Sequence, residues 1–267
     1  MAVSNQTVVA VMSDLHWGKK TRDYNTKSAA EVLLDFDDKL AEIKEGVGKG
    51  ADKLVVVMNG DMIDGTGIYP TQAHHQDGTD VTEQIEECGS VLSNVLISMR
   101  HTWGNVEVVT APGNHGRTSK HNNEASNYDR ILYKQLRDAT KSAGVKFKAE
   151  DPKVGPFLQP FTVRGHSMLL NHGHTISMYQ GVPFYGIKQR VTQWKADEFK
   201  DLDVVIFGHF HSFGLWDMNG STVVLNGTPV KKDLWALETF GGTSANKWLV
   251  FGVTDEDKMA WTVPVSV

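Results

Sequence analysis

With 267 residues, 40% of them hydrophobic and 22% charged, the chain has the composition of an ordinary globular protein, which excludes a disordered or fibrous class. Its 27 Lys and Arg against 32 Asp and Glu give a net charge of −5, so there is no overall basic field for nucleic acid, and only a local cationic site stays open. The single Cys88 excludes an internal disulfide, Met1 to Gln6 does not read as a secretory leader, and no apolar run approaches the ~20 residues of a membrane span. One cytoplasmic α/β domain over residues 1–267 is the expectation.

Thr7 to Met12 is a short apolar run that breaks into Ser13-Asp14-Leu15-His16, the pattern of a buried strand with polar groups at its exit. Strand side chains alternate, so Asp14 and His16 are expected to point the same way. Val32, Leu33, Phe36, Leu40 and Ile43 at helical spacing predict a helix from Ser28 to Lys44, ended by Gly46, Gly48 and Gly50. Lys53 to Met58 is a second buried strand and runs out at Asn59-Gly60-Asp61-Met62-Ile63-Asp64-Gly65. Gly67 to Thr79, with Pro70, reads as a loop, and Asp80 or Thr82 is placed to cap a helix continuing to about Met99. Val106 to Ala111 is a third strand, breaking at Pro112-Gly113-Asn114-His115-Gly116.

Residues 117–127 are polar and loop-like, and Tyr128 to Thr140 is helical by periodicity. Phe161–Val163 and Ser167–Asn171 read as paired strands that lead into His172-Gly173-His174. A helix over Val182 to Phe199 is entered after Gly181-Val182-Pro183, and Val204 to Phe207 is a buried strand ending in Gly208-His209-Phe210-His211. Short segments around Leu215, Thr222–Leu225, Trp248–Val253 and Met259–Val263 predict an antiparallel ending.

The strand exits together supply Asp14-x-His16, Gly60-Asp61-x-x-Asp64, Gly113-Asn114-His115, His172-Gly173 and Gly208-His209-x-His211. Oxygen and imidazole donors suit a divalent transition metal better than calcium or a thiolate zinc site. This set, spanning residues 14–211, resembles that of the calcineurin-like metallophosphoesterases. The resemblance implies an α/β fold, a two-sheet sandwich flanked by helices, and two metal ions that share a bridging carboxylate. Asp14, His16 and His211 would hold one ion and Asn114, His172 and His209 the other, with Asp61 bridging. Manganese is the expected metal, with iron, zinc, nickel or magnesium as alternatives. His115 would be the family's catalytic histidine, giving a proton to the leaving oxygen, and Asp64 would either orient it or be a solvated turn residue. Independently of the family, paired divalent ions clamp the oxygens of a phosphoryl group and activate water near neutral pH. Two carboxylates undercompensate two such ions, so the site would attract a phosphate anion despite the net negative charge.

Two positions depart from the family pattern. Gly116 stands where many relatives carry an acidic residue, and Gly65 follows Asp64 where the protein-phosphatase branch carries an arginine. Without that guanidinium a phosphoprotein substrate is disfavoured. The Ser13-Asp14-Leu15-His16-Trp17-Gly18 form of the first motif resembles the repair-nuclease branch. A phosphodiesterase or nuclease acting on DNA or RNA is therefore the first expectation, with a small-molecule or nucleotide phosphomonoesterase as the alternative. Trp17 is a candidate stacking ring at the site mouth or else a packed wall. Arg117, Lys120 and Lys188 are candidates to grip phosphate, a solvated face being the plainer role, and Cys88 reads as a buried small hydrophobe. His74, His75, His101, His121, His166 and His174 read as surface or hydrogen-bonded residues rather than ligands. Residues 66–80 either cover the site as a lid or lie away from it.

Overall fold

The computed structural model describes residues 5–69, 72–179, 182–231 and 246–267. Readings that touch residues 1–4, Pro70 and Gly181 lie outside the described residues. Strands β1 (Gln6–Met12), β2 (Ala51–Asn59) and β3 (Val106–Ala111) are parallel neighbours, with Val8 opposite Leu54 and Leu54 opposite Val106. Helix α1 (Thr26–Glu45) starts at Asn25, whose side chain accepts from the Ser28 N–H. Helix α2 (Val81–Trp103) starts at Asp80 in a reciprocal capping box with Glu83 and runs past Met99 to a left-handed Gly104. Next come α3 (Tyr128–Thr140), β4 (Lys146–Phe147), β5 (Gln159–Val163), β6 (His166–Leu170), α4 (Phe184–Ala196) and β7 (Leu202–Phe207). The chain closes with β8 (Gly214–Met218), β9 (Ser221–Leu225), β10 (Lys247–Val253) and β11 (Trp261–Ser266).

The strands form a six-stranded sheet, β11-β10-β1-β2-β3-β4, and a five-stranded sheet, β5-β6-β7-β9-β8. The apolar runs are continuous because both faces of the central strands are buried. Val9, Val11, Val55, Val57 and Val109 pack between the sheets against Met168, Leu170, Val204, Ile206 and Val224. The alternate residues Val8, Ala10, Leu54 and Val56 face outward under Leu33 and Phe36 of α1, Leu92 and Leu96 of α2, and Leu132 of α3. On the far side, Val205, Phe207 and Val223 are covered by Ile187 and Val191 of α4. Each such burial contributes about 1.5–3 kcal/mol. The result is the expected two-sheet sandwich flanked by helices.

The antiparallel ending is corrected in part. The β8–β9 hairpin is antiparallel, but β9 lies parallel to β7, while β10 crosses to the first sheet, antiparallel to both β1 and β11. Short runs buried on both faces advertise a strand without advertising its partner. The two-residue β4 is too short to show any period. Among the described residues no helix is long and apolar enough to cross a membrane. Across the sandwich, the Asn59 side-chain amide donates to the carbonyls of Asn171 and Ile206 at 3.1 and 3.3 Å, joining the exits of β2, β6 and β7 into one rim.

Candidate metal centre

The loops at this rim interlock by backbone hydrogen bonds: Asp14 N–H donates to the Gly60 carbonyl at 3.0 Å and His16 N–H to the Asp61 carbonyl at 2.8 Å. Asp14, His16, Asp61, His209 and His211 all have left-handed backbones, with φ of 53, 49, 51, 63 and 49°. For residues with a Cβ that conformation costs of order 1–3 kcal/mol each, and such strain gathers where side chains must be aimed. Asp14 and His16 therefore converge through left-handed turns beyond β1, not through the pleat of a strand. Close approach of the loops also fixes Gly113, since a Cβ there would stand 2.1 Å from Asp61 Oδ1.

Two groups of donor atoms result, Asp14 with His16 and His211, and Asp61 with His172 and His209, each within 4.8 Å. In the first, His211 Nε2 lies 3.1 Å from His16 Nε2 and 3.4 Å from Asp14 Oδ1. Burial opposes ionisation of Asp14, but the His211 imidazole beside it holds the carboxyl below its ordinary value. Burial together with the charge of His115 keeps His16 neutral, with a pKa of about 4. In the second group, His172 Nδ1 donates to the Asn59 carbonyl at 2.7 Å, leaving Nε2 to face Asp61 Oδ2 at 3.0 Å. A neutral ring in that tautomer sets two acceptors against each other, an arrangement that needs a proton or a cation between them. Burial works against the charged ring, yet Asp61 pushes the His172 pKa up to about 9. Asn114 adds a further donor: its amide N–H donates to the Tyr69 hydroxyl at 2.5 Å, while its buried Oδ1 has no partner among the described residues. A buried amide oxygen without a partner fits a hard or borderline divalent cation.

A third group centres on Asp64, 2% exposed and so no solvated turn residue. Its Oδ1 accepts from Nδ1 of His16 at 3.0 Å and Nδ1 of His115 at 3.1 Å, so one carboxylate fixes the tautomer of both rings and frees each Nε2. Burial opposes the charge, but the two histidines hold the Asp64 carboxyl far below the usual carboxylate range. For His115 burial would lower the pKa, and Asp61 and Asp64 outweigh it and raise it. The Asp64 Oδ2 accepts from Gln76, which in turn accepts from Gln84 at 2.6 Å.

Asp129 is the residue that sequence reasoning missed. Fully buried in the first turn of α3, it accepts from the backbone N–H groups of Asp61, Met62, Ile63 and Gly113 at 2.9, 3.1, 3.1 and 2.9 Å. Burial and the neighbouring Asp61 carboxylate push its pKa up to about 6, so it is ionised at neutral pH and pins the second and third motif loops together. Its signal was legible: Asp129 shares the buried helix face of Leu132, Tyr133 and Leu136, and Gln84 shares that of Cys88 and Leu92. A polar residue on an apolar face needs partners inside.

The other singled-out residues fall as follows. Trp17 is 2% exposed and donates to Glu87 at 3.3 Å, so it is a packed wall and not a stacking ring. Arg117 reaches the Asn114 carbonyl at 3.2 Å and Glu124 at 3.0 Å, whereas Lys120 and Lys188 are exposed. Cys88 is buried, His166 bonds the Thr254 carbonyl, and His74, His75, His101 and His121 are exposed. His174 is neither a surface residue nor a satisfied one: both ring nitrogens are buried without a partner among the described residues, and its ring centroid lies 5.9 Å from that of His172. Of the described residues in 66–80, Gln72 donates to the Asp64 carbonyl and Tyr69 meets Asn114. Gly65 has φ of +72°, and a Cβ there would stand 2.6 Å from the His115 carbonyl, so the position has no room for an arginine. At Gly116 a Cβ would stand 2.4 Å from Asn127 Oδ1, so the acidic residue of many relatives does not fit either.

Residues 7–213 match the calcineurin-like phosphoesterases, and the chain belongs to that family of metal-dependent hydrolases. Similar proteins include the DNA polymerase II small subunit of Methanothermobacter thermautotrophicus, 31% identical over 109 residues, 40% of this chain and 20% of the relative. That of Halobacterium salinarum is 27% identical over 164 residues, 61% of this chain and 26% of the relative. The chain thus spans 20% and 26% of the length of these two relatives. Among solved structures, a novel archaeal phosphodiesterase aligns at TM-score 0.44 and 12% identity over 97% of this chain and 99% of its own. Zinc-bound Vps29 from Entamoeba histolytica aligns at 0.46 and 13% over 97% and 98%.

Proposed function

We propose that this phosphoesterase is a dinuclear phosphodiesterase or nuclease. The observation that carries the reading is the pair of donor groups, together with a buried Asn114 oxygen that has no partner among the described residues. Asp14, His16 and His211 would hold one ion, and Asn114, His172 and His209 the other, with Asp61 between them. Mixed imidazole and oxygen donors suit a divalent transition metal, which we take to be manganese. Bound there, two divalent ions would supply charge for the phosphoryl oxygens and acidify water.

The chain's own part is positional and acid–base. Asp64 holds His115 by Nδ1, which leaves Nε2 to give a proton to the leaving oxygen when the ring is protonated, the form that the nearby Asp61 and Asp64 carboxylates favour. His115 is 21% exposed, open enough to meet a substrate. The packed Gly65 supports the choice against phosphoprotein, and the similarity to DNA polymerase II small subunits supports a nucleic-acid diester.

The test is hydrolysis of bis(p-nitrophenyl) phosphate and p-nitrophenyl phosphate, with manganese and with chelator. The diester should be preferred with manganese and spared with chelator, and His115→Ala should lose about 10²–10⁴-fold in kcat. Preference for the monoester moves the reading to a phosphatase, and full activity in His115→Ala removes the histidine from its role.

A further inference from the structure

Among the described residues, Tyr69 is the one exposed ring in contact with His115. It is 36% exposed, and its ring centroid lies 4.8 Å from that of His115 at a tilt of 40°. It is also firmly held. Its hydroxyl accepts from the Asn114 amide at 2.5 Å, and its backbone N–H donates to Gln72 Oε1 at 3.2 Å, the same glutamine that donates to the Asp64 carbonyl. The hydroxyl end of the ring is fastened to Asn114, the ring lies against His115, and more than a third of the residue faces solvent.

We propose that Tyr69 determines specificity on the leaving side, as a platform that favours departure of a nucleobase-bearing group over an aliphatic one. The proposal rests on the reading of His115 as the acid. An acid must lie within hydrogen-bond reach of the leaving oxygen, so whatever that oxygen carries lies within a few ångströms of His115. The exposed ring stands there already, held in place by Asn114 and Gln72. Aromatic rings hold nucleobases by stacking irrespective of their identity, so the expected preference is for a base and not for a particular base. Trp17, buried and tied to Glu87, is not available for the task.

The hydroxyl and the ring do separable things. The hydroxyl accepts the Asn114 N–H and so fixes the Asn114 amide, whose buried Oδ1 has no partner among the described residues, whereas the ring offers the stacking face. Tyr69→Phe removes the first, Tyr69→Leu removes both, and Tyr69→Trp restores a stacking ring.

The probe is the ethyl phosphodiester of thymidine, cleaved with manganese. Both of its alkoxides are chemically similar leaving groups, and hydrolysis releases either thymidine with ethyl phosphate or ethanol with thymidine monophosphate. The ratio of thymidine to ethanol reads which group occupies the leaving side. Wild type should release thymidine about tenfold in excess. Tyr69→Leu should bring the ratio near one, while Tyr69→Phe and Tyr69→Trp keep it. A structural role would change the rate and leave the ratio alone. An unchanged ratio in Tyr69→Leu overturns the proposal and leaves the phosphodiesterase reading standing. No hydrolysis of this diester or of bis(p-nitrophenyl) phosphate by wild type overturns both.

Discussion

The same strands build two regions of opposite character. Along β1, Val9 and Val11 lie in the apolar layer between the sheets, and a few residues on, Asp14 and His16 stand in left-handed turns among buried charges. Strand β2 passes from Val55 and Val57 to Asp61 and Asp64, and β7 from Val204 and Ile206 to His209 and His211. The layer stabilises through area removed from water, with every neighbour apolar. The rim holds positive φ in residues with a Cβ, packed carboxylates and an orphaned amide oxygen, each of which costs stability. The layer therefore stabilises the fold, whereas the rim holds its polar side chains at a cost in stability. Substitutions in the two regions should therefore separate activity from stability.

The largest expected effect is at the rim. If Asp61 bridges the ions as proposed, Asp61→Asn should lower manganese-dependent kcat/KM by about 10³-fold, because several kcal/mol of charge stabilisation would depend on the ions it would hold. The circular dichroism spectrum and the unfolding midpoint of the metal-free protein should stay near wild type. A collapse of the fold in this variant would mean that the rim carries stability too, and the contrast would fail.

Asp129→Ala tests the seam between the regions. It strands four buried backbone N–H groups, so unfolding in denaturant should show a loss of about 3 kcal/mol or more. Activity at a temperature where the variant remains folded should fall about tenfold or more, because the loops of Asp61 and Asn114 lose their common anchor. Loss of stability without loss of activity would show that the loops keep their places unaided.

Much of this division was legible before any coordinates. Each apolar run such as Val106–Ala111 marks a strand buried on both faces, and each break into Asp, Asn or His marks a rim position. What stayed hidden was whatever depends on partners distant in sequence. Nothing in Trp248–Val253 says that β10 pairs with β1, and nothing in the loop holding Tyr69 says that its ring meets His115. The shared hold of Asp64 on His16 and His115 was equally silent, since it arises from three separate strand exits. Asp129 and Gln84 are different: their place on buried helix faces was readable and pointed inward to unmet donors.

The smallest effect sharpens the contrast most. Ile206→Val trims one methylene from the layer between the sheets and should cost about 1 kcal/mol, visible as a midpoint shift of about 2–4 °C. Turnover at 25 °C should stay at wild-type level. The route from Ile206 to His209 runs through backbone bonds that the trimmed group does not touch, the Gly208 N–H to the His172 carbonyl at 3.1 Å and the Asn59 amide to the Ile206 carbonyl. The Asp14 carboxylate then fixes His209 through its backbone N–H at 2.9 Å. A drop in turnover for so small a change would mean that the rim is positioned by side-chain packing below it rather than by this hydrogen-bonded seam.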